Sequence, residues 1–541
     1  MSGMTDTNTL RKLAQAWISD DPDPETRVEL EALQAQLPDS ADELADRFAG
    51  RLTFGTAGLR GPVRAGPNGM NRAIVRAAAT GLMAYLDAHG AAGPVVIGYD
   101  ARRGSTDFAQ ETAAVCTGAG RQALLLPRVL PTPVLAYAIR VLGAAAGVMV
   151  TASHNPPADN GYKVYLGDGA QIVPPADREI EAAIQAVGPL GDVPLGPPGE
   201  VLDDTLVESY VEAVAARVVP GDLTVAYTPM HGVGGETFMS AFARAGFPAP
   251  HVVEEQFRPD PNFSTVSFPN PEEPGAVDLL IALAKRVSAD IAIANDPDAD
   301  RCAVVVPDGG GWRMLRGDEV GALLADHLMR RGAQGTYATT IVSSSQLRAM
   351  CTVRGLPYAE TLTGFKWIMR AADDLAFGYE EALGYSVAPD LVRDKDGISA
   401  ALLVAELAAQ LKAEGRTLTD RLDDLAREFR LHVTDQLSVR VDDLGLIAEA
   451  MAGLRAALPQ QLLGRPVETA EDLLPDADVV ILRAPGLRVV VRPSGTEPKL
   501  KAYLEVVVPV EGSVAEARTA AATQLAALRE EVATALGPLS S

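Results

Sequence analysis

The pattern of apolar and polar positions predicts alternating helices and strands over most of the chain. Apolar residues at helical spacing predict two amphipathic helices, over 10–18 and 24–37, before the first strand. The next segment alternates predicted helices with short apolar runs typical of buried strands, in the order 71–89, 94–100, 105–118, 123–126, 133–142 and 147–150. This order predicts a parallel or mixed sheet covered by helices.

A similar alternation of predicted strands and helices begins twice more along the chain. The second unit has predicted strands at 223–228 and 291–295 with helices at 236–245 and 276–287. The third begins near residue 317, with helices at 319–330, 344–353 and 365–374 and strands at 337–342 and 375–379. Beyond about residue 429, short strands such as 436–441 and 487–492 precede a final helix at 513–534, which predicts a separate α+β domain. We therefore expect four domains, over residues 1–205, 206–316, 317–428 and 429–541.

The composition narrows the classes of partner and compartment. A formal net charge of −24 over 541 residues argues against a nucleic-acid partner, which needs a basic surface. An anionic small molecule would need a local basic cluster. No apolar run reaches the roughly 18 to 20 residues of a membrane span, and the polar, acidic N-terminus is not a signal peptide. Three scattered cysteines indicate a reducing compartment, so we expect a cytoplasmic protein. Both a monomer and a dimer remain open.

A serine and a histidine lie side by side where the strand at 147–150 ends. Ser153 and His154 begin a loop rich in Pro, Asn and Gly, and Lys163 follows on the predicted return strand. Reacting groups commonly lie on loops at the carboxyl ends of strands in α/β sheets. The residues fit a reactive serine, and they equally fit a turn that is merely structural.

Three aspartates alternate directly after the predicted strand at 291–295. Asp296, Asp298 and Asp300 can direct their carboxylates at one centre, and Arg301 follows them. Hard cations such as Mg²⁺ prefer oxygen ligands of this kind. The spacing does not fit a calcium-binding EF-hand loop, because its sixth and twelfth places hold Arg301 and Pro307. Three neighbouring carboxylates repel one another without a cation, which favours a metal site over a solvated acidic turn.

Near the C-terminus, a short segment combines cationic, hydroxyl and glycine residues. It suits an anion such as phosphate, since a guanidinium fork, hydroxyls and inward-pointing backbone N–H groups all donate hydrogen bonds. An ordinary Ser-Gly-Thr turn is the alternative. The candidate phosphate-binding residues are Arg492, Ser494, Gly495, Thr496 and Lys499.

Two further loops in the third unit fit a sugar. Glu380 and Glu381 follow the predicted strand at 375–379 and can accept hydrogen bonds from sugar hydroxyls, although an acidic pair at a helix N-terminus is an equal alternative. Upstream, the glycine loop at 362–367 joins a cation to an aromatic ring, which can pack on a sugar ring but at a helix start more often belongs to the core. Its candidate residues are Thr363, Gly364 and Lys366, and Lys395 lies further along the chain.

These loops, in this order, resemble those of the α-D-phosphohexomutase superfamily, the phosphoglucomutase and phosphomannomutase enzymes. The local sequences at residues 52–61, 363–367 and 380–385 most resemble the phosphoglucomutase-2 and phosphopentomutase branch. The resemblance implies three related mixed α/β sheet domains and a C-terminal α+β, TATA-box-binding-protein-like domain around a central cleft. It also implies an intramolecular phosphotransferase that binds a small phosphosugar.

The resemblance assigns roles to particular residues. Ser153 would carry the phosphoryl group and join the three aspartates as a ligand of Mg²⁺. Arg60 would help to hold the phosphoserine, and Lys163, ahead of His154, would transfer the proton of the sugar hydroxyl. Arg301 would bind substrate together with the loops already named and Lys395.

The resemblance favours glucose 1-phosphate and glucose 6-phosphate as substrates, with glucose 1,6-bisphosphate as activator. Phosphomannomutase or phosphopentomutase activity is the alternative. Many relatives have serine at the position of Ala382, and losing this hydroxyl weakens the assignment of a hexose. A metal-dependent sugar phosphatase and an inactive sugar-phosphate-binding protein are the remaining possibilities.

Overall fold

The computed structural model describes residues 6–53, 58–441, 444–494 and 499–537. The chain forms two compact units. The first comprises residues 1–314 and 384–409, and the second comprises residues 315–383 and 410–541. Each unit is built around its own sheets.

Three helices open the first unit and share a small apolar core that includes Leu10, Leu30 and Leu44. The side chain of Asp23 caps the second helix, whose first residue is Pro24. Proline suits this position because the first N–H of a helix has no partner within the helix. The helices are α1 (Thr7–Asp20), α2 (Pro24–Ala35) and α3 (Ala41–Arg47).

The first sheet has six strands in the order β1-β5-β4-β2-β3-β6 and mixes parallel and antiparallel pairs. Its strands are β1 (Leu59–Pro62), β2 (Val95–Tyr99), β3 (Ala123–Leu125), β4 (Ala146–Val150), β5 (Asp159–Leu166) and β6 (Glu200–Val201). Its helices are α4 (Arg72–Ala88), α5 (Ser105–Gly118), α6 (Thr132–Val141) and α7 (Ala176–Gln185), with a 3₁₀ turn at Leu190–Asp192. Strand β4 is buried along its whole length, so its C-terminal loop emerges from the sheet interior.

The second sheet of the first unit has five strands in the order β11-β10-β9-β7-β8. Strand β9 pairs in parallel with β7 and antiparallel with β10. The strands are β7 (Val225–Thr228), β8 (His251–Val252), β9 (Ile291–Ala294), β10 (Ala303–Asp308) and β11 (Gly311–Met314). The helices are α8 (Thr205–Ala215), α9 (Gly234–Ala245), α10 (Glu254–Phe257) and α11 (Asp278–Val287).

The second unit begins with parallel strands in the order β13-β12-β14. These elements are α12 (Gly317–Arg330), β12 (Thr336–Thr340), α13 (Gln346–Arg354), β13 (Tyr358–Thr361), α14 (Phe365–Ile368) and β14 (Leu375–Glu380). The chain then contributes β15 (Gly384–Ser386) and most of α15 (Gly397–Ala413) to the first unit.

The rest of the second unit contains a fully antiparallel sheet in the order β16-β22-β21-β20-β19. The elements are α16 (Leu418–Phe429), β16 (Leu431–Arg440), α17 (Leu444–Ala456), β17 (Gln461–Leu462), β18 (Arg465–Pro466), β19 (Thr469–Asp472), β20 (Val480–Ala484), β21 (Leu487–Pro493), β22 (Lys499–Val508) and α18 (Val514–Leu536). Ser513 and Glu516 form a reciprocal capping box at the start of α18.

One predicted helix differs from the structure in its extent, and one hairpin was not predicted. The helix predicted over 365–374 ends at Ile368, because the chain turns there to enter β14. The hairpin of β10 and β11 was missed, although its apolar run followed by Asp308 and three glycines is a hairpin signal. Most other predicted elements agree with the structure within a few residues.

Candidate active site

The loop after β4 directs the Ser153 hydroxyl at an aspartate from a distant part of the chain. Ser153 Oγ donates to Asp296 Oδ2 over 2.7 Å and lies 3.2 Å from His154 Nδ1. Ser153 is 3% exposed and has a left-handed backbone with φ of 51°. A non-glycine residue adopts this conformation only where its surroundings compensate for the strain. The structure therefore brings Ser153 and His154 to the aspartate loop.

Asp296, Asp298 and Asp300 form one buried carboxylate cluster after β9. One ligand oxygen from each residue lies within 4.8 Å of the others. Within the described part of the chain, Asp298 Oδ1 and Asp300 Oδ1 are buried and accept no hydrogen bond. Such oxygens are costly to bury without a partner, so the donor set fits a hard divalent cation.

Two lysines provide positive charge beside the cluster. Lys163 Nζ on β5 donates to Asp298 Oδ2 over 2.7 Å and to Asp300 Oδ2 over 3.0 Å. Lys395 Nζ lies 3.3 Å from Asp300 Oδ2 and 3.7 Å from Asp394 Oδ1. The predicted catalytic and substrate-binding lysines therefore share one carboxylate.

Burial and charge set the protonation of this cluster. Burial alone would lower the pKa of Lys163, but Asp298 and Asp300 raise it above its ordinary value. Burial and the other two aspartates raise the pKa of Asp296 well above its usual range. Burial also acts to raise the pKa of Asp298 and Asp300. For these two residues Lys163 together with other neighbouring groups outweighs burial, and the pKa of both carboxyl groups is lowered. Lys163 is therefore an ammonium at neutral pH.

His154 and Arg60 lie beside the serine loop. Burial first, and then the charges of Arg301 and Arg60, lower the pKa of His154 well below its ordinary value, so its imidazole is neutral. Arg60 on β1 donates from Nη1 to Asn155 Oδ1 over 2.8 Å. The Arg301 backbone N–H donates to Asp296 Oδ1 over 3.1 Å, and its guanidinium Nε lies 3.9 Å from Asp300 Oδ1.

A glycine lets the start of α15 approach the aspartate loop. A Cβ on Gly397 would lie 2.1 Å from the carbonyl oxygen of Arg301, so only glycine fits this position. This close contact places Lys395, two residues earlier, beside Asp300.

In the second unit, Glu381 lies at the end of β14 among hydroxyl groups. Its Oε2 accepts from Ser343 Oγ over 3.2 Å and from Thr340 Oγ1 over 3.3 Å. Burial, followed by repulsion from Glu380 and Asp318, raises the pKa of Glu381 to about 7. Arg492 opposes this rise electrostatically. Within this unit, the charge of the predicted phosphate residue Arg492 therefore acts on the predicted sugar residue Glu381.

Thr363 and Gly364, which precede α14, are half-buried, and Lys366 within α14 is buried. Gly364 has a φ of 112°, in the region that favours glycine. Lys366 Nζ lies 5.9 Å from the centre of the Trp367 ring.

The predicted phosphate loop joins β21 to β22. The Ser494 backbone N–H donates to the Lys499 carbonyl over 2.8 Å, and Arg492 Nη1 donates to Tyr503 Oη over 3.3 Å. Gly495 and Thr496 lie outside the described residues, so their assignment to this loop stays a prediction.

Sequence reasoning missed two residues that contact the cluster or the serine loop. Thr132, the first residue of α6, donates from Oγ1 to Asp298 Oδ2 over 2.6 Å. Arg102, in the loop after β2, donates to three carbonyl oxygens of the serine loop and to that of Asp159 at the start of β5. The Asp-Ala-Arg-Arg sequence at the end of β2 was a visible signal for Arg102, whereas Thr132 had none.

Four successive parts of the chain match the phosphoglucomutase/phosphomannomutase family. Its α/β/α domains I, II and III match residues 51–189, 208–310 and 316–429, and its C-terminal domain matches residues 437–532.

Individual relatives support the same grouping. The chain is 49% identical over 451 residues to a Haemophilus influenzae protein named "Probable phosphomannomutase", covering 81% of this chain and 93% of that protein. It is 34% identical over 564 residues to the phosphopentomutase of Mus musculus, covering 91% and 89% of the two chains. It is also 34% identical over 518 residues to a phosphoglucomutase of Staphylococcus aureus (strain bovine RF122 / ET3-1), covering 88% and 93%.

Three mixed α/β sheet regions and a C-terminal antiparallel sheet, with a serine loop beside a carboxylate cluster, define a phosphoryl-transfer enzyme of the phosphohexomutase class. The chain belongs to the phosphoglucomutase/phosphomannomutase family and is a phosphosugar mutase, an intramolecular phosphotransferase. The predicted family and fold class are confirmed. Among the described residues, no helix is both long and apolar enough to cross a membrane.

Proposed function

We propose that the chain interconverts a hexose 1-phosphate and the corresponding 6-phosphate through a phosphoserine at Ser153. The observation that carries the proposal is the 2.7 Å hydrogen bond from Ser153 Oγ to Asp296, within a cluster that also contains Lys163. A buried serine hydroxyl beside three carboxylates and an ammonium suits the repeated gain and loss of a phosphoryl group.

The proposed reaction consists of two phosphoryl transfers. In the first, a hydroxyl oxygen of the phosphosugar attacks phosphorus, the new P–O bond to the sugar forms, and the bond to Ser153 Oγ breaks. The bisphosphorylated sugar then turns over, and Ser153 Oγ takes the other phosphoryl group. The enzyme is again phosphorylated, and the phosphate has changed position on the sugar.

We propose that Asp296, Asp298 and Asp300 hold Mg²⁺ together with the phosphoserine at residue 153. When bound, the ion would act as a Lewis acid on the phosphoryl oxygens and neutralise their charge. The two buried Oδ1 atoms without a hydrogen-bond donor among the described residues support this assignment.

The proton of the attacking hydroxyl has two candidate acceptors. The resemblance favours Lys163, which must first lose the proton that Asp298 and Asp300 stabilise. His154 is neutral and lies 3.2 Å from Ser153 Oγ. Lys163→Met and His154→Gln distinguish them, because loss of the proton acceptor removes the pH dependence of kcat that its titration produces.

The remaining predicted residues are proposed to bind the substrate. Arg60 and Arg301 would contact phosphoryl oxygens beside Ser153, and Lys395 would add positive charge there. In the second unit, the sugar would contact Thr363, Gly364, Lys366, Glu380 and Glu381, and its phosphate would contact Arg492, Ser494, Gly495, Thr496 and Lys499. The hydroxyl groups around Glu381 support a polar sugar loop despite Ala382.

For the sugar, we propose mannose phosphate, with glucose phosphate as the second candidate. The 49% identical relative bears the name of a phosphomannomutase, which supports mannose better than the glucose expected from the motifs. The 34% identical phosphoglucomutase supports glucose. Magnesium and a trace of the cognate 1,6-bisphosphate, such as glucose 1,6-bisphosphate, would start turnover.

A coupled assay over the 1-phosphates of mannose, glucose, glucosamine and ribose tests this proposal. We expect the highest kcat/KM with mannose 1-phosphate and no stoichiometric release of free phosphate. Highest activity with glucose would select the second candidate. Release of free phosphate without isomerisation would identify a phosphatase instead.

Ser153→Ala should abolish isomerisation and remove one phosphoryl group from the intact mass of the protein, because Ser153 Oγ is the proposed carrier. Ser19→Ala is the matched control, since Ser19 is an exposed residue of α1. Normal activity in Ser153→Ala, with normal folding shown by circular dichroism, would contradict the phosphoserine mechanism.

We also propose the domain limits 1–205, 206–316, 317–428 and 429–541. The family matches lie within these limits, apart from one residue at each end of the third.

A further inference from the structure

We propose that Arg102 is the positioning residue of the serine loop, holding its backbone so that Ser153 Oγ faces Asp296. The inference goes beyond the proposed function and rests on it only for the identity of the reaction. Arg102 lies in the loop after β2, and 1% of its side chain is exposed.

The guanidinium of Arg102 binds three carbonyl groups of the irregular serine loop and the carbonyl of Asp159, the first residue of β5. Nη2 donates to the carbonyls of Ser153 over 2.5 Å and Asn155 over 2.7 Å. Nη1 donates to those of Pro156 over 2.8 Å and Asp159 over 3.1 Å. Residues 151–158 belong to no helix or strand, so the contacts to Ser153, Asn155 and Pro156 replace the backbone hydrogen bonds that would fix a regular element.

These contacts bear directly on the strained serine. The Ser153 N–H donates to Thr151 Oγ1 over 2.9 Å, and its carbonyl accepts from Arg102. Both backbone polar groups of Ser153 are therefore held while its φ stays at 51°. The backbone determines the direction of Cα–Cβ, so these bonds fix Cβ of Ser153 at a position from which Oγ reaches Asp296 Oδ2.

Arg102 is itself held from two sides. Its Nε lies 3.4 Å from Asp100 Oδ2, and Asp100 Oδ1 accepts from the Arg102 N–H and from Ser105 Oγ. Its guanidinium carbon lies 4.9 Å from the centre of the Phe263 ring, which belongs to a loop after α10. A rigid planar guanidinium donates from two separate nitrogens to these four carbonyls, whereas an ammonium group has three donors on a single nitrogen at the end of a flexible stem.

Arg102→Lys and Arg102→Gln test the proposal in the full-length protein. Hydrogen exchange followed by mass spectrometry reports the order of residues 153–159, whose Asn155 and Asp159 amides donate within the loop. We expect exchange in this segment to become at least ~10-fold faster in both variants. With the preferred phosphosugar, kcat should fall by about 10²-fold while KM changes by less than about 3-fold, because a small misplacement of the reacting atom mainly slows the chemical step.

Arg103→Lys is the matched control, because this neighbouring arginine is exposed and makes none of these four bonds. We expect its exchange and kcat to equal those of the unaltered protein. Arg102→Lys keeps the charge and tests the proposal if Arg102→Gln does not fold.

Unchanged exchange at 153–159 together with unchanged kcat in Arg102→Lys would overturn the proposal. A lower melting temperature with unchanged exchange and kcat would also overturn it, since that result describes a purely structural residue. If the unaltered protein isomerises no phosphosugar, the proposed function fails, and the exchange experiment alone still decides the role of Arg102.

Discussion

At the scale of single residues, Glu381 shows how burial and neighbouring charge change an ordinary carboxyl group. Its pKa rises to about 7 because of burial and the repulsion of Glu380 and Asp318. The folded protein therefore binds this proton more tightly than the unfolded chain does. Ionising Glu381 consequently costs stability, which falls as the pH rises from about 4.5 to about 7 and stays lower above that range.

Glu381→Gln should raise the melting temperature at pH 8 and leave it nearly unchanged at pH 4.5, because glutamine remains neutral at both. At pH 8 the free energy of unfolding should rise by on the order of 2 kcal/mol. This is less than the full pKa shift corresponds to, because the carboxyl group is partly exposed to solvent. Differential scanning fluorimetry at both pH values measures it. Asp373→Asn removes an exposed carboxylate and should show no such dependence on pH. An equal effect of Glu381→Gln at both pH values would contradict this account.

At the scale of elements, packing between helices limits which residue a helix position can hold, even where helix propensity favours another residue. A Cβ on Gly81 in α4 would lie 2.5 Å from Ile184 Cγ1 and 2.7 Å from the Ile184 backbone N in α7. At Gly453 in α17, no atom of the described residues outside the backbone of its own helix lies within 4 Å of the same position. The two glycines therefore separate the effect of packing from that of propensity.

Gly81→Ala should lower the melting temperature and Gly453→Ala should leave it unchanged or raise it. Alanine favours a helix over glycine by about 1 kcal/mol at either site. At Gly81, overpacking against α7 costs about 1–3 kcal/mol and outweighs that gain. Thermal unfolding followed by circular dichroism compares the two. A higher melting temperature for Gly81→Ala would show that α7 moves away at little cost.

At the scale of the whole molecule, the candidate metal site depends on parts of the chain that are far apart in sequence. Ser153 and Asp296 are separated by 143 residues, and Lys163 and Asp300 by 137. A cation bound by the three aspartates of the folded protein, and not by the unfolded chain, would stabilise the fold.

Magnesium chloride should raise the melting temperature of the chelator-treated protein. At a hundredfold excess over Kd, the free energy of unfolding should rise by up to about 3 kcal/mol. Chelation should also abolish isomerisation, and magnesium should restore it. Sodium chloride at equal ionic strength controls for screening of the net charge of −24. Asp298→Asn should respond little to magnesium. An equal rise with both salts would argue against a specific site.

The sequence alone determined the types of element and the order of the chemical loops. Period and composition are local properties, so helix α5 was predicted with its observed limits, Ser105–Gly118. The aspartates, Ser153 and the Arg492 segment were recognisable because their chemistry depends on residue type and close spacing. The roles of Gly495 and Thr496 remain predictions on the same basis.

Only the tertiary structure decided which of these groups meet and how they ionise. The pairing of Lys163 with Asp298 and Asp300, the four carbonyls held by Arg102 and the raised pKa of Glu381 all depend on contacts between separate elements. Distance and desolvation govern these interactions, and both arise when the strands and helices pack. Neither is encoded in the local pattern of any one segment.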